Sequence, residues 1–157
     1  LKILGIDPGL SQTGIAILSE EKENTKLSWK TLKHKTSNGR LYKYFESLSE
    51  LINTEKPDRI VIENIFRGPN TQTLIKIAEL RGVYLLLAQM EGLPVLTFTP
   101  REIKQSVTGS GASSKEQVRY MVKKILGIKE EIPFDVSDAF AAIICYLNKN
   151  SKYARIN

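Results

Sequence analysis

Apolar and polar positions along this chain alternate with two different periods. Residues 1–7 (Leu-Lys-Ile-Leu-Gly-Ile-Asp) form an apolar run broken by Pro8-Gly9, the pattern of a buried strand followed by a turn. Residues 13–20 repeat the pattern, residues 21–26 are a polar hairpin loop, and residues 26–34, around Leu27, Trp29 and Leu32, give a third strand. Three strands with short links predict an antiparallel meander. The period then changes. Leu41, Tyr44, Phe45, Leu48, Leu51 and Ile52 recur at helical spacing over residues 39–55, and Pro57 ends that helix. Residues 58–63 are a β-branched strand ending in Glu63, residues 71–91 a long apolar helix, and residues 94–99 a fifth strand. A short helix over residues 100–107 opens on proline, and Ser114 caps another over residues 115–126. A last helix runs over residues 135–147, leaving residues 148–157 as a loosely ordered tail. The order predicts an α/β domain, a mixed five-stranded sheet flanked by helices, occupying residues 1–157 as one unit.

At 157 residues the chain holds one core of ordinary size and no second domain. Its 41% hydrophobic and 25% charged content is that of a folded globular chain. The single Cys145 rules out an internal disulfide and fits a reducing cytoplasm, and the single His34 rules out a multi-histidine zinc site. There is no apolar run near the ~20 residues that span a bilayer, and residues 1–14 carry no secretory pattern, so a cytoplasmic protein without membrane contact is expected. A net charge of +6 makes nucleic acid a candidate partner, with a merely basic surface as the alternative.

Four carboxylates change this picture. Asp7 closes the first strand beside Ile3, Leu4 and Ile6, and Glu63 closes the fourth after Ile60, Val61 and Ile62. A charge at the edge of a core is costly to dehydrate unless it is paired or binds a cation. Asp135 and Asp138, three apart, share one face of the last helix. Each has a structural reading: Asp7 as a turn-starter, Glu63 as partner of Arg59, Asp135 as a helix cap and Asp138 as a first-turn acid. If the first and fourth strands are neighbours, however, Asp7 and Glu63 meet at one end of the sheet, with the last helix opposite. Four crowded acids repel unless cations compensate, and Mg²⁺ or Mn²⁺ prefers such oxygen ligands. Two ions about 3.5–4 Å apart activate a water and stabilise a leaving oxygen. On a basic chain, that points to nucleic-acid hydrolysis.

The motifs also match a known pattern. Gly5-Ile6-Asp7-Pro8-Gly9-Leu10 with Thr13-Gly14, then Glu63-Asn64-Ile65-Phe66, then residues 107–118 (Val-Thr-Gly-Ser-Gly-Ala-Ser-Ser-Lys-Glu-Gln-Val), then Asp135-Val136-Ser137-Asp138-Ala139 resemble, in order, the motifs of the RuvC-type Holliday junction resolvases. The resemblance implies an RNase H-like fold, a homodimer, and paired metal-dependent incisions in four-way junction DNA that leave 5′-phosphates. It implies Asp7, Glu63, Asp135 and Asp138 as the metal-binding catalytic acids, and Lys104 and Lys115 as basic residues near the scissile phosphate. It further implies Phe66 as an aromatic for unstacked bases, and RuvA and RuvB as branch-migration partners; Arg67, beside Phe66, is a cation placed to contact phosphate. The chain departs from the pattern at Cys145-Tyr146-Leu147, where a histidine often stands nearby, and at residues 67–71.

Three other readings compete. An actin-like ATPase or sugar kinase shares the strand, Asp and Gly-rich turn but needs two related domains. A YqgF-type nuclease shares the broad fold but fits Asp-Pro-Gly-Leu and Gly-Ser-Gly less well. A binding-only basic module would hold junctions without cutting them. Trp29 is expected to pack and His34 to lie on the surface. The helix over residues 71–91 is apolar on more than one stripe (Leu74, Ile77, Leu80, Leu85, Leu86), which suits either a dimer interface or a central core helix.

Overall fold

The computed structural model describes residues 1–22, 24–34, 39–65 and 70–154. Five strands, β1 (Lys2–Asp7), β2 (Thr13–Glu21), β3 (Asn24–Leu32), β4 (Arg59–Glu63) and β5 (Val95–Phe98), form one sheet in the order β3-β2-β1-β4-β5. The first three pair antiparallel, as a meander must, and β1 pairs β4 and β4 pairs β5 in parallel. Parallel neighbours need a crossover, and α1 (Arg40–Glu55) and α2 (Thr71–Met90) supply it. The chain then adds α3 (Pro100–Thr108), α4 (Lys115–Leu126) and α5 (Phe134–Ala154).

Strand alternation sorts the core into two layers. Leu4, Ile6, Ile15, Ile17, Ile60 and Ile62 pack with α1 and α2 on one face. Ile3, Ala16, Leu18 and Val61 pack with α3, α4 and α5 on the other. α5 is the centre of that second layer: residues 139–145 are all buried, and Trp29 meets the Phe140 ring edge-on at 5.9 Å. Its aliphatic and aromatic side chains contribute roughly 1.5–3 kcal/mol each when fully covered. The helix approaches the sheet closely because β1 and β2 present glycines there. A Cβ on Gly5 would lie 2.4 Å from the Ala139 carbonyl oxygen, and one on Gly14 would lie 2.1 Å from that of Asp135.

Local signals start the helices where the sequence placed them. The Asn70 side chain accepts from the amides of Gln72 and Thr73, and Thr99 with Glu102 and Ser114 with Gln117 form reciprocal capping boxes.

Three expectations are corrected. The β2–β3 hairpin is tighter than a loop over residues 21–26, because the ladder continues to the Glu21–Asn24 pair. α5 continues to Ala154, where a loosely ordered tail from residue 148 was expected; Asn148, which donates to the Ser106 hydroxyl at 3.0 Å, and Lys149, paired with Glu102 at 2.5 Å, tie its later turns to α3. His34 is half-buried rather than superficial, its ring edge-on to Tyr44 at 4.6 Å and its Nε2 3.0 Å from the Ser47 hydroxyl.

Candidate active site

The register of β1 and β4 brings the first two acids together. Ile6 pairs with Ile62, so Asp7 and Glu63 follow at the same end of adjacent parallel strands. Alternation turns both toward the α5 face, since Val61 packs there and Ile60 and Ile62 pack on the other side. Asp138, in the second turn of α5, comes down onto the same end. Asp7, Glu63 and Asp138 line a cleft of about 560 Å³ together with Lys104 of α3, Lys115 of α4, and apolar walls from Leu74 and Ile77 of α2.

Electrostatics within the cleft follow from this crowding. Burial, then the charges of Asp138 and Glu63, raise the Asp7 carboxyl well above its ordinary value. Burial and Asp138 push Glu63 up to about 7, against the opposing pull of Lys115 and Lys104. Asp138 is also raised, chiefly by burial, although the Lys115 ammonium lies 3.5 Å from its carboxylate. Lys115 stands at the first position of α4, where the helix dipole disfavours a cation, and the acids opposite offset that cost. Arg59 does not pair with Glu63. It sits at the other end of β4, its guanidinium over the Tyr146 ring at 5.4 Å and donating to the Tyr146 hydroxyl.

Asp135 is placed differently from the other three acids. It lies in the first turn of α5, close enough to raise the Asp7 carboxyl, but it does not line the cleft. Its Oδ1 accepts from the Gln12 side-chain amide at 3.1 Å and its Oδ2 from the Thr31 hydroxyl at 3.0 Å. Among the described residues no three His, Cys, Asp or Glu side chains converge into a closed ion cage. Asp7, Glu63 and Asp138 stand around the cleft, Asp138 drawn to Lys115, while Asp135 is held outside its lining by two neutral donors. The donor set is nonetheless all oxygen, and the repulsion that raises Asp7 and Glu63 is what a hard divalent cation relieves, so these residues fit such an ion.

Gln12 and Thr31 were not singled out from the sequence. A signal for Thr31 exists: Leu27 and Trp29 face α5, so Thr31, two positions on, is a polar residue on an apolar face. Phe66 and Arg67 lie outside the described residues.

The raised carboxyls predict an unusual pH response. A carboxyl whose value is raised on folding adds stability below its unfolded value, and that stability is lost as pH rises through the folded one. For Glu63 the window runs from its ordinary 4.5 to about 7. Glu102, held down to about 2 by Lys149 and the Thr99 cap, loses its contribution only below this window. With chelator present, the melting temperature is therefore expected to rise as pH falls from 8 to 5.5, by an amount worth about 2 kcal/mol for Glu63. Millimolar Mg²⁺ at pH 8 is expected to recover most of the difference. A melting temperature that falls on acidification across this range would contradict the cleft's electrostatics.

Comparison with known proteins now bears on this geometry. A family model described as Crossover junction endodeoxyribonuclease RuvC matches residues 3–146. The chain belongs to the RuvC family. The RuvC of Syntrophomonas wolfei is 39% identical over 153 residues, covering 94% of this chain and 89% of that protein. The RuvC of Carboxydothermus hydrogenoformans is 42% identical over 147 residues, covering 90% of this chain and 92% of that protein. Thermus thermophilus RuvC, solved in complex with Holliday junction substrate, superposes with a TM-score of 0.86 at 25% identity, covering 97% of this chain and 96% of that one. The RuvC family resemblance and the RNase H-like α/β fold expected from the sequence are both borne out. No helix among the described residues is long and apolar enough to cross a membrane.

Proposed function

We propose that this chain is a metal-dependent endonuclease that resolves four-way DNA junctions by paired symmetric incisions, with Asp7, Glu63, Asp135 and Asp138 as the acids that hold the cations. The observation that carries this reading is the convergence of Asp7, Glu63 and Asp138 in one cleft with Lys104 and Lys115. Divalent cations, two per site with Mg²⁺ or Mn²⁺ as the candidates, supply Lewis-acid activation of water and of the leaving oxygen when bound. The protein's own part is to hold charge in place. The backbones of Asp7 and Glu63 are held in the strand ladder. Lys115, on one wall, exchanges Asp138 for a phosphate oxygen, and Lys104 neutralises the charge that builds on the phosphate as it is attacked. Such hydrolysis leaves 5′-phosphate ends. Phe66 and Arg67, in the segment after β4, are assigned to an unstacked base and a nearby phosphate.

Two symmetric cuts require two active sites related by a twofold axis. α2 offers the surface. Ile75, Leu86 and Met90 are 54%, 56% and 64% exposed. Helical spacing places Ile75 and Leu86 on one stripe with Ala78 and the uncrowded Gly82. An exposed glycine inside a helix costs about 1 kcal/mol, which close approach of a second helix offsets. At the stripe's margin, the buried Arg81 Nε has no hydrogen-bond partner among the described residues. A homodimer through α2 is therefore part of this reading, as are a cytoplasmic setting and branch-migration partners of the RuvA and RuvB kind. Leu86→Glu is expected to convert dimer to monomer at micromolar concentration, weakening self-association on the order of a hundredfold. Sedimentation velocity reads this, and a variant still fully dimeric would remove α2 from the interface.

The decisive assay compares a four-way junction with a linear duplex of the same sequence, with Mg²⁺ and with chelator. Cleavage of the junction alone, and only with metal, is the expected result. Binding without cleavage would favour a DNA-holding module instead.

A further inference from the structure

We infer that Gln12 and Thr31 are positioning residues that clamp the Asp135 carboxylate in the orientation from which it serves a cation. This rests on the reading of Asp135 as a ligand and adds to it the residues that make it one. The clamp draws on separate stretches of the chain. Gln12 ends the turn that follows Asp7, and Gly9 makes that turn possible, because a Cβ there would lie 2.3 Å from the Gln12 carbonyl oxygen. Thr31 comes from the outer strand β3, where it pairs with Gly14. Gly14 in turn lets the Asp135 backbone settle directly on the sheet. Asp135 is thus held at its backbone by β2, at Oδ1 by Gln12 and at Oδ2 by Thr31.

The chemistry of the two donors matters. Lys115 pairs with Asp138, but Asp135 is served by an amide and a hydroxyl, which fix a carboxylate without cancelling its charge. Each carboxylate oxygen has two lone pairs, and the clamp occupies one on each, leaving the others for a cation. Partners behind a ligand orient it, and their loss typically weakens metal binding about 10–100-fold. The loop that begins at Asp7 therefore ends by holding Asp135, so the two acids are set by one short segment, itself pinned by the Thr13 hydroxyl against Tyr84 at 2.8 Å.

The test titrates Mn²⁺ alone into DNA-free protein by calorimetry, with junction affinity in chelator and thermal melting measured beside it. Thr31→Val and Gln12→Met are each expected to weaken Mn²⁺ binding about tenfold or more, while Thr31→Ser stays within about threefold of the parent. Junction affinity in chelator stays unchanged in all three. In an Asp135→Asn background, Thr31→Val adds no further loss. Gln12 is half-exposed, so Gln12→Met decides the matter even where Thr31→Val melts early. If Asp135→Asn weakens Mn²⁺ binding but Thr31→Val and Gln12→Met do not, the clamp is overturned and the ligand reading stands. If Asp135→Asn itself binds Mn²⁺ like the parent, the ligand reading fails and takes the clamp with it.

Discussion

Replacing Glu63 with glutamine is expected to reduce junction cleavage by on the order of a thousandfold while leaving junction affinity nearly intact. The substitution keeps the shape of the side chain and removes only its charge, at the one position where β4 hands a carboxylate to the cleft. Affinity is expected to survive because phosphate neutralisation dominates DNA binding, and Lys104 and Lys115, which face the same cleft, keep their charge. A second effect has the opposite sign. Glu63 is raised to about 7 by burial and by Asp138, so its ionised form opposes folding at pH 8. Glu63→Gln should therefore melt higher than the parent in chelator at pH 8, and the advantage should shrink toward pH 5.5. A residue retained for structure would lose stability and activity together. Gel assays of a labelled junction and melting curves decide between them, and near-parental cleavage by the variant would remove Glu63 from the catalytic set.

Gly14→Ala is expected to cost about 3 kcal/mol or more, because the new methyl has nowhere to go. Its Cβ would stand 2.1 Å from the Asp135 carbonyl oxygen and 2.2 Å from the carbonyl carbon. Both are backbone atoms of the first turn of α5, so relief requires the helix to lift off β2. Lifting it separates Asp135 from Thr31 and tilts Asp138 away from Asp7. Cleavage should fall with stability, and the melting temperature should drop by roughly 6–12 °C. A Gly14→Ala variant with parental melting would show that the helix seats less closely than described.

The contrast between these residues shows what sequence pattern carries and what it does not. Alternation and helical spacing marked every strand and helix, because each element's apolar stripe is a local property. The acids at the cleft were legible for a related reason: a carboxylate at the edge of a buried run has an electrostatic cost visible without coordinates. Partnership is not local. Arg59 was a plausible mate for Glu63 by proximity in sequence, yet the two occupy opposite ends of a five-residue strand and Arg59 turns to Tyr146. Gln12 and Thr31 carry no such mark, since an amide and a hydroxyl in strand-and-turn positions are ordinary until Asp135, more than a hundred residues on, lands between them. The reach of α5 beyond Leu147 was hidden because its last turns are polar and give no amphipathic signal, and they are held instead by side-chain bonds to α3.

α5 follows all five strands along the chain, which has a consequence for biosynthesis. Domains gather themselves as they leave the ribosome, amino-terminal parts first. Until α5 emerges, the sheet face formed by Ile3, Ala16, Leu18 and Val61 has no cover from the helix that packs at its centre, and Asp135 and Asp138 have not yet been made. A nascent or truncated chain thus leaves that apolar layer open. The same docking event that completes the hydrophobic layer also brings Asp138 to the cleft beside Asp7 and Glu63.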